Sequence, residues 1–312
     1  MRAFVTGGNG FVGRYLVGEL RTRGFETVVG GHSSDGGDLD LAFDLRDGHS
    51  VAAAVADARA TVIFHLAAQA FVPRATQDPL ETYDVNVMGT ARLIEAIRHL
   101  PEASRPALLF VSSAEVYGAQ AESDLPLRET TLPAPATPYA ASKLAAEAIV
   151  LGSARTYGFA AIVARAFNHI GAGQSERFAV AGFAQRLATI AAGGAPLLPV
   201  GNLETMRDFL DVRDVVRAYV ELALRGRWGE IYNVCSGVPT RMADVLRQLV
   251  MAAHVAVEIR EDPALMRPTD VRVVYGDNAR LRAATGWQPS YPLAQSLREV
   301  YEAARAARVA PA

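Results

Sequence analysis

The chain has 312 residues, half of which are hydrophobic, and a formal net charge of −2, so it can bury a large core in one domain or two. The balanced charge, without a basic run, argues against nucleic acid or an anionic membrane surface as the main partner, although a few placed arginines can still bind phosphate. A first segment patterned as a strand, the lack of an apolar run of membrane-spanning length and a single cysteine, Cys235, favour a cytoplasmic protein without an internal disulfide.

A glycine-rich loop follows the first predicted strand, Arg2–Thr6, and leads into a helical pattern that ends at Gly24. A strand, a glycine loop and a helix in this order can seat a pyrophosphate on the helix N-terminus, because glycines let the backbone approach and the exposed N–H groups bind the anion. We therefore predict a dinucleotide site. The loop residues assigned to it are Gly7, Gly10, Phe11, Val12 and Gly13.

The second predicted strand, residues 27–30, ends in a short polar stretch that bears on the choice of cofactor. An acidic residue here would hold the ribose 2′-hydroxyl of NAD and repel the 2′-phosphate of NADP, but Asp35 lies a few positions beyond the expected place. His32 and Ser33 can instead tolerate or bind a phosphate. NADP(H) is therefore favoured, and NAD(H) stays open because the stretch contains no Arg.

Asp44 and Leu45 end the third predicted strand, residues 41–45, and both are assigned to the cofactor. Asp44 can reach the adenine edge of a dinucleotide. Its alternative role is to cap the helix predicted for residues 47–58.

The next predicted strand, residues 61–66, is followed by two alanines whose small side chains would let a cofactor lie close. A long helix is then predicted from about residue 80 to residue 100. The residues of these segments assigned to the cofactor are Leu66, Ala67, Ala68 and Asn86.

Tyr139 and Lys143 lie in the first turns of a helix with clear boundaries, from its predicted N-cap Thr137 to a stop signal at Gly158. Residues four apart share a helix face, so the Tyr hydroxyl and the Lys ammonium can serve one site. Lys143 is the only lysine in the chain, and its compact ammonium differs chemically from a guanidinium. A nearby cation favours tyrosinate, so we expect Lys143 to lower the pKa of Tyr139.

Strands that alternate with helices as far as residue 166 predict an α/β fold with a parallel, doubly wound sheet. Ligands then bind at the carboxyl ends of the strands. The glycine loop, residues 67–68, Ser113 and Asn168 all follow predicted strands, so they converge on this edge. The polar, proline-rich residues 119–137 are predicted to form a loop over it.

The second half of the chain is predicted to form a smaller lobe. We assign residues 1–167 to a Rossmann-type NAD(P)-binding domain and residues 168–312 to a partly interleaved α/β lobe for the substrate. Helices are predicted at 178–192, 212–225, 242–253 and 293–308, and strands at 197–200, 231–234 and 257–260.

With its glycine loop, Ser113, Tyr139 and Lys143, the chain resembles the extended short-chain dehydrogenases/reductases that act on nucleotide sugars, over nearly its full length. Within that family it is most similar to GDP-6-deoxy-D-mannose reductases, which reduce GDP-4-dehydro-6-deoxy-D-mannose to GDP-D-rhamnose. The similarity lies in Phe-Asn-His-Ile-Gly at 167–171, Val-Gly-Asn-Leu at 200–203, Arg-Asp-Phe-Leu-Asp-Val at 207–212, Tyr-Asn-Val-Cys-Ser-Gly at 232–237 and Met-Arg-Pro at 266–268.

The resemblance implies hydride transfer to carbon 4 of the sugar, with Tyr139 donating its proton to the developing alkoxide. Ser113 would hydrogen-bond the same oxygen, and Lys143 would lower the pKa of Tyr139 and hold the nicotinamide ribose. His169 is expected to pack beside the cofactor, because Tyr139 already fills the acid role.

The resemblance also implies a clamp for the nucleotide diphosphate. Arg207 and Arg267 would neutralise it through their forked donors, and Asn168 would donate a hydrogen bond to it. Val180 and Asp270 complete the substrate contacts that we assign. No metal site is predicted.

Glu115 keeps a second reaction open. In the dehydratases of the family, a Glu two residues after the catalytic Ser or Thr abstracts a sugar proton so that water can leave, and Glu115 stands at that place relative to Ser113. Dehydratases for dTDP-sugars have an Asp before this Glu, where this chain has Ala114, whereas GDP-mannose dehydratases do without it. A GDP-mannose 4,6-dehydratase, or another NAD(P)-dependent nucleotide-sugar epimerase or dehydratase, is therefore the alternative.

A further class is the regulator that binds NADP without chemistry, but such proteins usually lack the Tyr or the Lys that this chain retains. Enzymes of the family usually dimerise by pairing two helices from each subunit in a four-helix bundle. The matching helices here are residues 80–99 and 138–157. The resemblance thus implies a homodimer that acts on a GDP-sugar.

Overall fold

The structure, a computed structural model, describes residues 1–32, 37–266 and 271–309. Ser33, Arg267 and Asp270, which the sequence assigns to ligands, lie outside the described residues. The strands are β1 (Arg2–Thr6), β2 (Glu26–Gly31), β3 (Leu41–Ala42), β4 (Val62–His65), β5 (Ala107–Ser113), β6 (Ala161–Ala166), β7 (Asn168–Ile170), β8 (Leu197–Val200), β9 (Met206–Asp211), β10 (Ile231–Val234), β11 (Pro239–Arg241), β12 (Glu258–Glu261) and β13 (Val273–Val274). The helices are α1 (Phe11–Thr22), α2 (Gly48–Ala58), α3 (Val72–Gln77), α4 (Pro79–Tyr83), α5 (Gly89–His99), α6 (Pro138–Tyr157), α7 (Ala179–Ala191), α8 (Val212–Arg225), α9 (Met242–Ala253), α10 (Ala279–Thr285) and α11 (Leu293–Val309).

Seven strands form a parallel sheet in the order β10-β6-β5-β4-β1-β2-β3. The strand order reverses between β1 and β4, and ligands of such sheets bind at the carboxyl ends of the strands beside this reversal. The predicted α/β fold with a doubly wound parallel sheet is therefore confirmed.

Helices cover both faces of the sheet, and neighbouring residues of each strand point to opposite faces. Phe64 and Leu109 face a core built with α1, α8 and α10. Ile63 and Leu108 face a second core built with α2, α5 and α6. The helix that carries Tyr139 thus lies on the opposite side of the sheet from the helix after the glycine loop. Among the described residues, no helix is both long and apolar enough to span a bilayer.

The later part of the chain has a core of its own, where α7, α9 and α11 pack around residues such as Phe183, Leu246 and Tyr301. β9 pairs with β7, β11 and β13, and β12 pairs with β8. The later elements α8, α10 and β10 nevertheless belong to the large sheet and its helical layer. A domain boundary at residue 167 stays a prediction.

The helix predicted for residues 80–100 is divided in the structure. A π-helical turn, Asp84–Met88, separates α4 from α5, and such turns are rare and occur often at functional sites. The strand predicted for residues 41–45 is reduced to the two residues of β3. The sequence pattern also does not predict β7, β9, β11 or β13. Apart from β9 these strands are short, and β11 and β13 pair with a strand more than a full helix away in the chain, so local periodicity carries little information about them.

Candidate active site

The glycine loop forms a close-packed cradle between β1 and α1. Gly7 has a φ of +70°, which favours glycine, and a Cβ there would lie 2.9 Å from the backbone nitrogen of Ala67. A Cβ on Gly13 would lie 2.1 Å from the carbonyl oxygen of Gly7. α1 follows with no side-chain cap and no acidic residue in its first turn, so its first N–H groups can bind an anion. The cradle therefore fits the pyrophosphate of a dinucleotide. Its predicted members Gly10, Phe11 and Val12 are the N-cap and the first two residues of α1.

The loop after β4 lies against this cradle through a buried hydrogen-bond chain. Thr6 Oγ1 accepts from the backbone nitrogen of Ala67 (3.2 Å) and hydrogen-bonds Nδ1 of His65 (2.7 Å), whose Nε2 hydrogen-bonds Thr90 Oγ1 (3.1 Å). Burial, and secondarily the charge of Lys143, lowers the pKa of His65 to about 3. His65 is therefore a neutral residue of the buried hydrogen-bond chain beside the glycine cradle. The predicted cofactor residues Leu66, Ala67 and Ala68 are half-buried at this edge.

Asn86 is buried in the π-helical turn, and its side chain is occupied by protein groups. Nδ2 donates to the carbonyl of Gln69 (3.0 Å) and to Oγ of Ser142 (3.0 Å), and Oδ1 accepts from the backbone nitrogen of Gln69 (2.8 Å). Both N–H groups of this side chain are thus used by the protein, and they fix the loop after β4 against α6. The assignment of Asn86 to the cofactor stays a prediction.

Asp44 forms a small charged cluster at the end of the sheet that carries β2 and β3. Its carboxylate accepts from Nη2 of Arg46 (2.7 Å) and lies 3.6 Å from Nε2 of His32. Hydrogen bonds from Arg46 lower the pKa of Asp44 to about 2. Asp47 caps α2 by accepting from the backbone nitrogen of His49 (2.9 Å), so the alternative capping role of Asp44 is excluded. An arginine therefore stands beside His32, although the end of β2 contains none.

Leu45 and Val180, assigned to the cofactor and to the substrate, have side chains buried in apolar cores, so a ligand contact of either residue stays a prediction. Leu45 is 7% exposed and packs with Phe4 and the α2 and α5 residues, whereas Val180 is 3% exposed among α7, α9 and α11. Burying such a side chain is worth about 1.5–3 kcal/mol, so packing explains both positions.

Ser113 and Tyr139 meet at the carboxyl edge of the sheet. Ser113 is the last residue of β5, and Tyr139 is the second residue of α6. The predicted cap of α6 is confirmed, because Thr137 Oγ1 accepts from a backbone N–H of the first turn (3.1 Å) and Gly158 ends the helix in a left-handed conformation. Ser113 acts on the Tyr139 hydroxyl and lowers its pKa.

The environment of Tyr139 keeps its phenol protonated. Burial raises the pKa of Tyr139 to about 12, while Ser113 opposes this rise and the charge of Glu115 adds to it. The net shift is therefore upward and not downward as expected beside Lys143, because desolvation decides its direction. A protonated phenol is the form that can donate a proton at neutral pH.

Lys143 lies on the same face of α6, one turn further along. Its Nζ donates to the carbonyl of Val111 (2.7 Å) and lies 4.8 Å from the ring centre of Phe110. Burial lowers the pKa of Lys143 to about 8, and the charge of Glu147 opposes the shift. The ammonium is charged at neutral pH, and only one of its three donors is used by Val111.

Glu147 and Arg165 form a buried ion pair that was not predicted from the sequence. Nε and Nη2 of Arg165 donate to the carboxylate (2.9 and 2.7 Å), and Oγ of Ser112 donates to it at 2.5 Å. The two side chains are 3% and 4% exposed. The available sequence signal is the position of Glu147, which is four residues after Lys143 and eight after Tyr139 and so shares their helix face.

Glu115 lies in a tight turn directly after β5. Its backbone nitrogen donates to Oγ of Ser113 (3.2 Å), and its side chain is exposed. The charge of its carboxylate contributes to the raised pKa of Tyr139.

His169 stacks on the glycine-loop residue Phe11, with ring centres 6.2 Å apart and an interplanar angle of 11°. Its Nδ1 hydrogen-bonds the carbonyl of Phe167 (3.0 Å), and burial lowers its pKa. His169 is thus a neutral packing residue next to the cradle. The preceding Asn168 is exposed at the start of β7, where it is open to a substrate.

Arg207 lies on β9, half-buried, and its Nη1 donates to the carbonyl of Met206 (2.8 Å). The next residue, Asp208, is buried and accepts hydrogen bonds from the backbone nitrogens of Ser236 (2.7 Å) and Gly237 (2.9 Å). Asp208 therefore holds the turn after β10. Of the two residues, Arg207 is therefore the candidate for binding a diphosphate.

The proline-rich loop between Ser113 and Tyr139 is anchored on the later part of the chain. Leu127 donates to the carbonyl of Tyr275 (2.9 Å) and accepts from the backbone nitrogen of Asp277 (2.8 Å). The loop thus connects the two catalytic candidates with the segment that follows β13.

Together these residues can perform acid–base chemistry at a carbonyl or alcohol carbon. A protonated Tyr, its Ser partner and a buried ammonium lie at the edge of a sheet whose glycine cradle fits a dinucleotide. No group of three His, Cys, Asp or Glu residues that could hold a metal ion is found in the part of the chain that the structure describes.

Comparison with known proteins places this site in a family. The family described as GDP-mannose 4,6 dehydratase matches residues 4–300. A Pseudomonas aeruginosa protein named GDP-6-deoxy-D-mannose reductase is 39% identical over 96% of this chain and 95% of its own length. A solved structure of RMD from Pseudomonas aeruginosa complexed with NADPH has 36% identity and a TM-score of 0.88, covering 98% of this chain and 100% of the other.

A second solved structure, a Thermus thermophilus UDP-glucose 4-epimerase complexed with NAD, is 31% identical with a TM-score of 0.86 and covers 98% of this chain and 100% of the other. The similarity therefore extends over the sheet, the catalytic candidates and the later lobe alike. The chain belongs to the GDP-mannose 4,6 dehydratase family, within the extended short-chain dehydrogenases/reductases that act on nucleotide sugars.

Proposed function

We propose that the protein reduces the 4-keto group of GDP-4-dehydro-6-deoxy-D-mannose to give GDP-D-rhamnose, with NADPH as the reductant. The observation that carries the proposal is the convergence of Ser113 at the end of β5 with Tyr139 and Lys143 in the first turns of α6, at the carboxyl edge of the sheet. The relative named GDP-6-deoxy-D-mannose reductase and the NADPH complex of RMD support the substrate and the cofactor.

Tyr139 and Ser113 act on the sugar oxygen. As the 4-keto oxygen becomes an alkoxide, Tyr139 transfers its phenolic proton to it, and Ser113 hydrogen-bonds the same oxygen and orients the phenol. The resulting tyrosinate is stabilised by the ammonium of Lys143 one helical turn away. The tyrosine then recovers a proton from solvent.

The glycine cradle and the edge beside it hold the cofactor. A nicotinamide dinucleotide bound there supplies the hydride. The backbone of Phe11, Val12 and Gly13 binds its pyrophosphate, and Lys143 has donors left for the nicotinamide ribose. We assign the 2′-phosphate of NADPH to the place where His32 and Arg46 flank Asp44, since a guanidinium can pair with a phosphate.

Arg207 and Asn168 bind the diphosphate of the sugar nucleotide. Arg207 offers a forked guanidinium, and Asn168 is exposed beside the strand ends. Arg267 and Asp270 stay assigned to the substrate on the sequence pattern alone.

GDP-mannose 4,6-dehydration is the second candidate, and the exposed carboxylate of Glu115 beside Tyr139 favours it. That reaction begins with oxidation of an alcohol, in which Tyr139 must act as a base and so must be deprotonated. A pKa of about 12 opposes this form. The reduction, which begins with the protonated phenol, is therefore the better match.

Two substrates separate the candidates. With GDP-4-dehydro-6-deoxy-D-mannose and NADPH, we expect equimolar NADPH oxidation and formation of GDP-D-rhamnose. With GDP-mannose as the matched control, we expect no reaction. Dehydration of GDP-mannose without net use of NADPH would establish the dehydratase, and NADPH binding without turnover of either sugar would establish a regulator.

The proposal includes a cytoplasmic homodimer. Leu80 on α4 is 77% exposed, and Met88, the last residue of the π-helical turn, is 49% exposed. The small residues Ala145 and Ala148 are exposed on α6. Two such faces can pair as a four-helix bundle because small residues let helices approach. Light scattering should give the mass of a dimer, and Leu80→Glu with Met88→Glu should reduce it to the mass of a monomer.

A further inference from the structure

The buried pair of Glu147 and Arg165 lies directly behind the reacting end of α6. Tyr139, Lys143 and Glu147 follow one another at four-residue spacing, and all three are buried. Arg165 reaches the carboxylate from β6 with a two-pronged hydrogen bond (2.9 and 2.7 Å), and Ser112 reaches it from β5 at 2.5 Å. Three donors on two strands thus fix one carboxylate in place.

Arg165 is itself held by an aromatic residue. Its guanidinium lies 4.7 Å from the ring centre of Tyr117, whose hydroxyl donates to Oδ1 of Asn233 on β10 (2.7 Å). The network therefore extends from the catalytic helix across three neighbouring strands of the sheet. Stability alone does not explain this ion pair, because apolar residues of similar volume often stabilise a core as well as a buried ion pair does.

Among the described residues, Glu147 is the one anion that compensates the charge of Lys143. On β4, His65 is neutral, because its pKa is about 3. On α6 itself, Tyr139 is neutral and Glu147 is charged, and on β5 the nearest groups are the ring of Phe110 and the carbonyl of Val111. Burial favours the neutral amine of Lys143, and Glu147 is the only group found to oppose this.

We propose that Glu147 is a positioning residue for the reaction, whose carboxylate, fixed by Arg165 and Ser112, keeps the buried ammonium of Lys143 charged at the site. Arg165 is needed because an unpaired carboxylate in the same place would itself take up a proton. The consequence for turnover rests on the proposed function, in which the Lys143 ammonium stabilises the tyrosinate formed when Tyr139 gives up its proton.

The chain allows a direct test, because Lys143 is its only lysine. Full-length protein labelled with ¹³C-lysine gives one lysine side-chain resonance, and its titration reports the pKa of Lys143 in the cofactor-free protein, near 8 for the wild type. Glu147→Gln should move this pKa at least one unit lower. A merely structural residue would act in the opposite direction, because loosened packing admits water and returns the pKa towards its ordinary value of about 10.4.

Glu221→Gln is the matched control. Glu221 is also a mostly buried glutamate paired with arginines, Arg23 and Arg225, but it lies on α8 across the sheet. Its replacement should leave the lysine titration unchanged. If Glu147→Gln does not fold, the double variant Glu147→Gln with Arg165→Met removes both charges, leaves no unpaired ion and should also lower the pKa of Lys143. An unchanged or raised pKa in the folded variant overturns the proposal.

The pH dependence of kcat gives the second readout. If Glu147→Gln lowers the pKa of Lys143 from about 8 to about 7, the charged fraction at pH 8 falls from about one half to about one tenth. Turnover at pH 8 should therefore fall about fivefold and recover as the pH is lowered towards 6, where the ammonium re-forms. A lower lysine pKa without any displacement of the pH profile would refute the role in turnover. Failure of the proposed function is distinguishable, since wild-type protein would then not turn over the keto sugar although the lysine titration kept its value.

Discussion

Ser113 at the end of β5 acts on the hydroxyl of Tyr139 in the first turn of α6 and lowers its pKa, against the larger opposite effect of burial. The two residues are brought together by a strand end and a helix start, both fixed by backbone hydrogen bonds, rather than by a flexible loop. Because the two residues meet in a buried place, Tyr139 keeps its proton at neutral pH. The site is thereby prepared to protonate an oxygen.

Tyr139→Phe should abolish turnover and retain the cofactor. The change removes the proton donor, and general acid catalysis typically contributes about 10²–10⁴-fold to a rate. We expect kcat to fall by at least 10²-fold, while the affinity for NADPH, measured by fluorescence titration, changes less than threefold.

Tyr157→Phe serves as the control for this variant. Tyr157 ends the same helix and is 39% exposed, so loss of its hydroxyl should leave kcat unchanged. Unfolding of Tyr139→Phe, or unimpaired turnover by it, would contradict the catalytic role of Tyr139.

Gly13→Ala should prevent NADPH binding, because its Cβ would lie 2.1 Å from the carbonyl oxygen of Gly7 and must displace the cradle. Gly18→Ala on the same helix is the matched control, since a Cβ there meets nothing within 4 Å. The control should bind NADPH normally and gain about 0.5–1 kcal/mol of stability from helix propensity. Equal NADPH affinity of the two variants would argue against a cofactor at this loop.

His65 should make the protein acid-sensitive. Its pKa falls from 6.5 to about 3 in the folded state, so between these values the unfolded chain binds more protons and stability is lost as the pH falls from 6.5 towards 3. The loss amounts to at most about 5 kcal/mol, at 1.36 kcal/mol per unit.

Urea unfolding as a function of pH measures this loss, and His65→Gln should flatten the dependence in the window. The exposed His49 provides the comparison, because His49→Gln should leave the slope as it is. A slope that is the same in the His65→Gln variant and the wild type would show that His65 is not buried in its neutral form.

Arg207→Gln should weaken binding of the sugar nucleotide without affecting the cofactor. Loss of a charge-assisted hydrogen bond costs about 1.5–3 kcal/mol, so KM for the GDP-sugar should rise about 10- to 100-fold while the dissociation constant of NADPH stays the same. Arg272→Gln, which removes an exposed arginine paired with Glu122, should change neither value. A rise in the NADPH dissociation constant instead would place Arg207 at the cofactor.

The parts of the fold that depend on local signals could be predicted from the sequence. Thr137, Pro138 and Gly158 fix the bounds of α6 by capping and backbone preference, and the predicted α9 at residues 242–253 agrees with the structure residue for residue. The alternation of strands and helices along the chain was sufficient to predict the doubly wound sheet. The short strands β7, β11 and β13 lack such signals and depend on their pairing with β9.

The electrostatics of the site could not be predicted from spacing. The four-residue separation of Tyr139 and Lys143 indicates a shared face, but the pKa of each follows from burial, which raises one and lowers the other. Arg46 beside His32, and Arg165 beside Glu147, come from different elements, so only the folded chain brings them together.

The proposed reduction is tested most directly by measuring whether the hydride of NADPH is transferred to carbon 4 of the sugar. The protein is incubated with GDP-4-dehydro-6-deoxy-D-mannose and NADPH that carries deuterium at both positions of carbon 4. The account predicts GDP-D-rhamnose with one deuterium at carbon 4 of the sugar and one NADPH consumed for each product. Dehydration of GDP-mannose in the same preparation, with no deuterium entering the sugar from NADPH, would contradict it.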